Sequence, residues 1–513
     1  MRSGTSISIV GERAPWFWAG CAAITAGVLL HLPMLAMAHR MGNHLAGMPM
    51  SFEMLVGMAL IIVGMPVACW GALPRHRTTH SDHAGTSFEA PDSTPLNRWH
   101  AAVLGVLTLG LIIDVMKPAT LGFVLPGIRN EYGIAPATAA LLPLVALTGT
   151  TVGSFLWGWL ADIYGRRVSI LLSTILFAST AICGAMPAFE WNLLMCFLMG
   201  TSAGGMLPVV YTLLAEVMPP KHRSWVLVLV GGTGLVGGYL AASGAAHALE
   251  PVFGWRALWL QGFPSGLLLL ALARFIPETP RFLAEQGRTA ELQRMKRRFG
   301  LVPKPRVSPP ADAPTPQGHR QLTAALTIAA LSWSLVNFGL LLWLPSDLQA
   351  RGYSAELASG ILARSSLLAL PTIFIAAFCY ARLSSKWTLV AAILLTLAGL
   401  MGALLPAPLL QWEPLLIAVI AMLIVGTNGT IAVLLPYTAE NYPLGTRGRA
   451  TGLVAGSSKF GGVAAQVAAI AGFIPTLVGA AIALLVPTAL SAAMLAWAGR
   501  ETRGRSLREL EAE

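Results

Sequence analysis

Gly158-Trp-Leu-Ala-Asp162-Ile-Tyr-Gly165-Arg166-Arg167 separates two long apolar runs, 138–160 and 169–188, and its reading decides the fold. An acid, two glycines and two arginines at so short a turn describe a charged latch at a membrane face. A spanning helix needs about 20 mostly apolar residues, and both flanking runs meet that demand. Twelve more runs do the same: 16–37, 51–73, 100–127, 192–215, 224–248, 255–276, 323–346, 356–381, 387–405, 413–437, 449–473 and 475–498.

Composition agrees. With 55% hydrophobic and 11% charged residues in 513, and a mean hydropathy of +0.67, one soluble core cannot hide this apolar surface. Long unbroken runs exclude a barrel, whose strands alternate over about ten residues. The chain therefore reads as an all-α membrane protein. Its first run leads straight into a second and has no small-residue cleavage site, so it reads as a retained anchor. Cys21, Cys69, Cys183, Cys196 and Cys379 all fall in apolar runs, without disulfide or metal spacing.

The formal charge of +11 could suggest a nucleic-acid partner, but its distribution argues for topology instead. With the amino terminus inside, alternating spans place Arg75, Arg77, Arg98, Arg166, Arg167, Lys221, Arg223, Arg382, Lys386, Arg447 and Arg449 in the cytoplasm. Outer loops hold little beyond Arg40, Arg129 and Arg351. This positive-inside bias puts both termini in the cytoplasm of a multi-pass protein of the plasma or inner membrane.

Two polar stretches divide the chain. Residues 74–98 detach an amino-terminal hairpin (1–73), and 277–321 form a central cytoplasmic loop with an amphipathic piece through Arg298 and a proline-rich stretch from Pro303 to Gln317. The loop splits the twelve remaining spans into halves, 99–276 and 322–498, followed by a tail, 499–513. Tyr211-Thr-Leu-Leu-Ala-Glu216-Val-Met-Pro219, followed by Arg223, is echoed by Tyr437-Thr-Ala-Glu440-Asn-Tyr-Pro443, followed by Arg447. Such recurrence is the signature of an internal repeat. Repeated six-span halves are a transporter layout with a mid-membrane site between them.

Gly158 to Arg167, Gly254-Trp255-Arg256, Pro277-Glu278-Thr279-Pro280-Arg281 and Glu501-Thr502-Arg503-Gly504 together resemble the major facilitator superfamily, in its sugar-porter and metabolite:proton symporter branch that includes aromatic-acid symporters. The resemblance spans roughly 99–508. It implies twelve core helices in two six-helix halves, here with two extra amino-terminal helices. It also implies a cytoplasmic gate of ion pairs built from Asp162, Gly165, Arg166, Arg167, Glu216, Arg223, Glu278, Arg281, Glu440, Arg447, Glu501 and Arg503. Two departures stand out: the second-half counterpart of the latch, Ala381-Arg382-Leu-Ser-Ser-Lys386, lacks the acid and both glycines, and Leu235 stands where drug/proton antiporters have a proline. The first predicts unequal latching of the halves.

Charges inside a bilayer are costly and mark candidate sites. Asp114 and Lys117 lie three residues apart in the first core span, hence on one face, and read as the proton-coupling pair or as a fixed ion pair. Arg364 and Lys459 lack an obvious intramembrane acid nearby and invite a carboxylate; snorkelling or pairing with a gate acid are the plainer alternatives. Tyr211, Gln261, Trp333, Asn337, Asn428 and Tyr437 could orient the cargo, or simply join helices by hydrogen bonds. The hairpin turn carries His39, Met41 and His44, a donor set that Cu(I) would accept, although methionines more often serve as adaptable packing.

The sequence thus reads as a secondary transporter, not an enzyme, that needs no cofactor and works as a monomeric unit in the lipid bilayer. Its expected activity is proton-coupled import of a small organic acid by alternating access. A sugar or polyol transporter, an efflux antiporter and a metal-binding membrane protein are the competing readings.

Overall fold

The computed structural model describes residues 13–73, 86–305, 318–442, 444–473 and 476–503. Among these, fourteen helical segments are long and apolar enough to cross a membrane: α1 (Ala14–Arg40), α2 (Phe52–Ala72), α3 (Arg98–Tyr132), α4 (Pro136–Tyr164), α5 (Arg166–Ala185), α6 (Phe189–Val217), α7 (Pro220–Phe253), α8 (Ala257–Phe275), α9 (Arg320–Ala350), α10 (Ala355–Arg382), α11 (Ser385–Gly402), α12 (Glu413–Asn441), α13 (Arg449–Ile470) and α14 (Leu477–Ala498). Apolar side chains cover them nearly all round, as helices in lipid require. Hydroxyl side chains set several starts. Ser51, Ser354, Ser384 and Thr476 each accept from the backbone N–H three residues on, which satisfies one of the orphan donors at the heads of α2, α10, α11 and α14.

The chain forms two compact units. One holds the described residues of 1–114, 148–221 and 253–306; the other holds those of 115–147, 222–252 and 307–513. In the first unit, α1 and α2 close into the expected hairpin through glycines. A Cβ at Gly27 would sit 2.6 Å from the Gly57 carbonyl oxygen, so the two backbones touch and no larger residue fits. The hairpin packs against α5, and Gly47 N–H donates to the Pro187 carbonyl at 3.0 Å. Arg256, expected only as part of a motif, is almost wholly buried and donates to the carbonyls of Gly184 and Met186 at 2.9 and 3.0 Å. It staples the start of α8 to the end of α5.

The central loop is described through Pro305, and the rest of its proline-rich stretch, 306–317, lies outside the described residues. The amphipathic piece is a helix, Thr289–Phe299, that buries Leu292, Met295 and Phe299. Behind it, strand β2 (Val302–Pro305) pairs antiparallel with β1 (Thr86–Glu89) of the linker, a two-stranded ribbon that the sequence reading missed. Lys304 bonds Glu89 at 2.9 Å, Asn97 Nδ2 donates to the Arg298 carbonyl at 2.7 Å, and Arg298 stacks 4.1 Å over Trp99. Part of the linker therefore straps the loop helix. Prolines 303 and 305 pointed to loop, yet a two-stranded ribbon is all edge, where proline is tolerated.

In the second unit, α9, α11, α12 and α14 bury a continuous core around Leu326, Ile393, Leu434 and Leu495. The α-helix of α9 widens to a π-helix over Leu335–Leu341, a local register change of the kind found at functional sites.

Candidate functional site: an acid cap on each inner helix and a polar span interior

Gly165 joins α4 to α5 with φ +101°, the left-handed region that glycine occupies freely. The sharp turn presents the head of α5 to Glu278, whose carboxylate accepts the backbone N–H groups of Arg166 at 2.8 Å, Arg167 at 3.2 Å and Thr279 at 3.0 Å. A Cβ on Gly165 would lie 2.7 Å from the Glu278 Cδ, so the glycine is required twice over. An acid at a helix amino terminus meets unsatisfied donors and the positive end of the dipole. Burial pushes the Glu278 carboxyl above its ordinary range even though those three N–H groups and the Arg166 charge pull it down. Arg166 also pairs with Asp162 at 3.1 Å, and Arg281 bonds Glu285 at 2.8 Å. Glu216 accepts from the Thr279 side chain and the Arg281 backbone.

The second unit repeats this device with other donors. Glu501 accepts from Ser385 N at 2.9 Å, Ser385 Oγ at 2.6 Å, Arg503 N at 3.0 Å and the Ser384 hydroxyl. Burial works against its charge, but these bonds prevail and hold the carboxyl down at about 2. Thr502, the residue after Glu501, donates to Glu440 at 2.7 Å, as does Tyr380 Oη. In both units a Glu-Thr dipeptide grips two partners: the acid caps a helix and the threonine reaches the acid of the repeated Tyr-Glu-Pro element, Glu216 or Glu440. The eroded loop 381–386 has therefore lost its own charges but not its capping partner. Serine hydroxyls, unremarkable in the sequence, replace them. The expectation of unequal latching is corrected to this extent, and Arg503 Nη1 adds a bond to the Leu383 carbonyl at 2.7 Å. Arg223 lies part-buried in the first turn of α7, and the Arg447 side chain lies outside the described residues.

The cargo candidates separate. Asp114 and Lys117 are both buried, one turn apart on α3. Asn337 lies on the π-helix, four residues after Trp333, and Asn428 on α12 donates to the Ile424 carbonyl at 2.9 Å. Lys459 on α13, and Tyr211 and Gln261 in the first unit, are part-buried. Two expectations are corrected. Arg364 has an acid after all: it pairs with Glu413 at 2.5 Å, and both side chains are about half exposed, at 52% and 43%. Tyr437 is wholly buried and donates to the Arg500 carbonyl, tying α12 to the tail rather than facing a cavity. In the hairpin, His39 bonds Asn43 at 3.2 Å and lies against Phe253. Among the described residues no group of three or more His, Cys, Asp or Glu is placed to hold a metal.

A family model described as Major Facilitator Superfamily matches residues 107–466, most of the chain. The protein is a member of the major facilitator superfamily. It is similar to a niacin transporter of Acinetobacter baylyi, at 28% identity over 82% of this chain and 98% of that one. It is also similar to a gallate transporter of Pseudomonas putida, at 29% identity over 53% and 63%. Its fold matches that of the xylose transporter of E. coli with a TM-score of 0.62, at 15% identity over 80% of this chain and 100% of that one. The protein is a multi-pass membrane transporter of this superfamily, with its fourteen spans accommodating the family's twelve-helix core and an additional pair.

Proposed function

We propose that this transporter imports a small carboxylic acid, aromatic acids foremost, together with protons. The observation that carries the reading is the cargo named for similar proteins across most of their length: niacin for the relative matched over 82% of this chain, and gallate for another. Both cargoes are small aromatic carboxylic acids. Residues of this chain support it. Asp114 is the proposed proton-exchanging group, buried one turn from Lys117 on α3. Lys459, Asn337, Asn428, Tyr211 and Gln261 are the proposed cargo contacts; Arg364, engaged with Glu413, serves the outer end of its helix instead.

The six-plus-six halves, 99–276 and 322–498, would alternate access, with Asp162, Arg166, Arg167, Glu216, Arg223, Glu278, Arg281, Glu440, Arg447, Glu501 and Arg503 as the cytoplasmic gate. Exposed ion pairs are each worth only about 0–1 kcal/mol, which suits a closure that must be undone every cycle. We place the protein in the cell membrane as a monomeric unit with both termini inside.

Uptake of labelled nicotinate, benzoate and xylose into proteoliposomes, with and without an inward proton gradient, tests the reading. Gradient-stimulated uptake of one or both acids supports it. Uptake of xylose alone, indifferent to the gradient, overturns both the acid and the proton assignments.

A further inference from the structure

Inside the second unit, α9, α11, α12 and α14 surround a cavity of about 10 Å³ whose walls are mostly apolar, with hydroxyl-bearing side chains among the lining residues. Ser332, Thr427 and Thr488 are 3%, 1% and 2% exposed, and their hydroxyls have no hydrogen-bond partner among the described residues. Trp333 lines the same space, and its indole N–H is likewise without a partner there. A buried polar group left unsatisfied costs about 1–3 kcal/mol, and four such groups belong to residues that line this one cavity. The other hydroxyls are already engaged: Thr396 donates to Ala392 at 3.1 Å and Thr430 to Gly426 at 2.7 Å.

We propose that this cavity is a binding site for a single water molecule that joins Ser332, Trp333, Thr427 and Thr488. The volume is about that needed by one water, which requires two to four polar partners. The valences also close. A water accepts twice and donates twice, and here the indole N–H can only donate, while each hydroxyl can donate or accept. A monovalent cation fits poorly, because no carboxylate lines the space and an indole N–H turns its positive end toward an occupant. The water bridges α9 to α12 and α14 immediately before the π-helix of Leu335–Leu341. It would thereby fix Trp333 next to the segment that carries Asn337. That last consequence rests on the function proposed above; hydration of the cavity does not.

The test is the sign of a stability change in the purified full chain. Thr427→Val and Thr488→Val keep side-chain shape and delete one hydroxyl each. If a water is held, each lowers the thermal midpoint by more than the matching serine variant, which keeps the hydroxyl and loses only a buried methyl, and the double valine variant loses less than the sum because both hydroxyls serve one water. If the cavity is dry, removing an unpaired buried hydroxyl leaves the midpoint unchanged or raises it, which overturns the proposal. A midpoint that shifts when sodium replaces choline in the buffer, and that loses this response in Thr427→Val, assigns the site to a cation and also overturns it. Should the valine variants fail to fold, density for one solvent atom within hydrogen-bond reach of Thr427 and Thr488 in a high-resolution map supports the site, and its absence rejects it. None of these readouts depends on which cargo is carried.

Discussion

The Glu501 carboxylate accepts the backbone N–H of Ser385 at 2.9 Å and so caps α11, as Glu278 caps α5 through Arg166 at 2.8 Å. The two acids follow the last span of their respective halves in sequence and hold the helix that follows the latch loop. Removing either leaves helix donors without their carboxyl partner. Glu501→Ala should lower unfolding stability by about 1–2 kcal/mol, read as an earlier thermal midpoint in detergent. An unchanged midpoint would mean that the cap is solvated equally well without it.

The two caps should respond to pH in opposite senses. Glu501 sits at about 2 against an ordinary 4.5, so its stabilisation is full above about 4.5 and fades as pH falls toward 2. Glu278 is shifted upward, so the folded protein holds its proton more tightly than the unfolded chain does. Its contribution is most favourable below 4.5 and declines as pH rises through its folded value. Relative to wild type, Glu278→Gln should therefore gain thermal stability as pH rises above 4.5, while Glu501→Gln should lose its disadvantage only as pH falls toward about 2. Parallel profiles for the two variants would contradict the assignment.

The linker strap makes a prediction of its own. Glu89→Lys places two cations together across the ribbon of β1 and β2 and should destabilise the central loop, seen as faster proteolysis between Arg288 and Arg306. Adding Lys304→Glu restores the opposite charges and should restore protection. Exposed pairs contribute little, about 0–1 kcal/mol, so local protection is a better readout than the global midpoint. If the double variant is cleaved as fast as the single one, the strap does not act through this pair.

Gly27 and Gly57 set the approach of α1 to α2. Gly27→Val cannot be accommodated without moving the helices apart, and should cost about 1–3 kcal/mol while leaving α3 to α14 folded. Loss of a disulfide engineered between the two hairpin helices, with cargo transport retained, would report that outcome; an intact crosslink would refute it.

Much of this was legible in the chain because a bilayer imposes a one-dimensional rule. Every span had to be about 20 apolar residues long, so the fourteen segments could be read directly, and the motif set around Asp162, Arg256, Glu278 and Glu501 led to the superfamily. What was not legible depends on partners distant in sequence. The Glu413 that meets Arg364 starts a different helix, and the serines that meet Glu501 are ordinary residues of a loop that had lost its charged pattern. The strap was hidden because each strand bonds only to the other, with no apolar alternation to betray it. Tyr437 misled for a related reason: a tyrosine in an apolar helix looks like a cavity residue until the tail that receives its hydroxyl is in place.

The central claim is that carboxylate entry is tied to protons through Asp114. The direct measurement is the pH inside proteoliposomes, followed with a trapped dye, when nicotinate or benzoate is added outside at equal pH. The account predicts acidification of the lumen that scales with labelled cargo taken up, and for Asp114→Asn cargo exchange without net proton entry. Equal cargo-driven acidification in wild type and Asp114→Asn would contradict it.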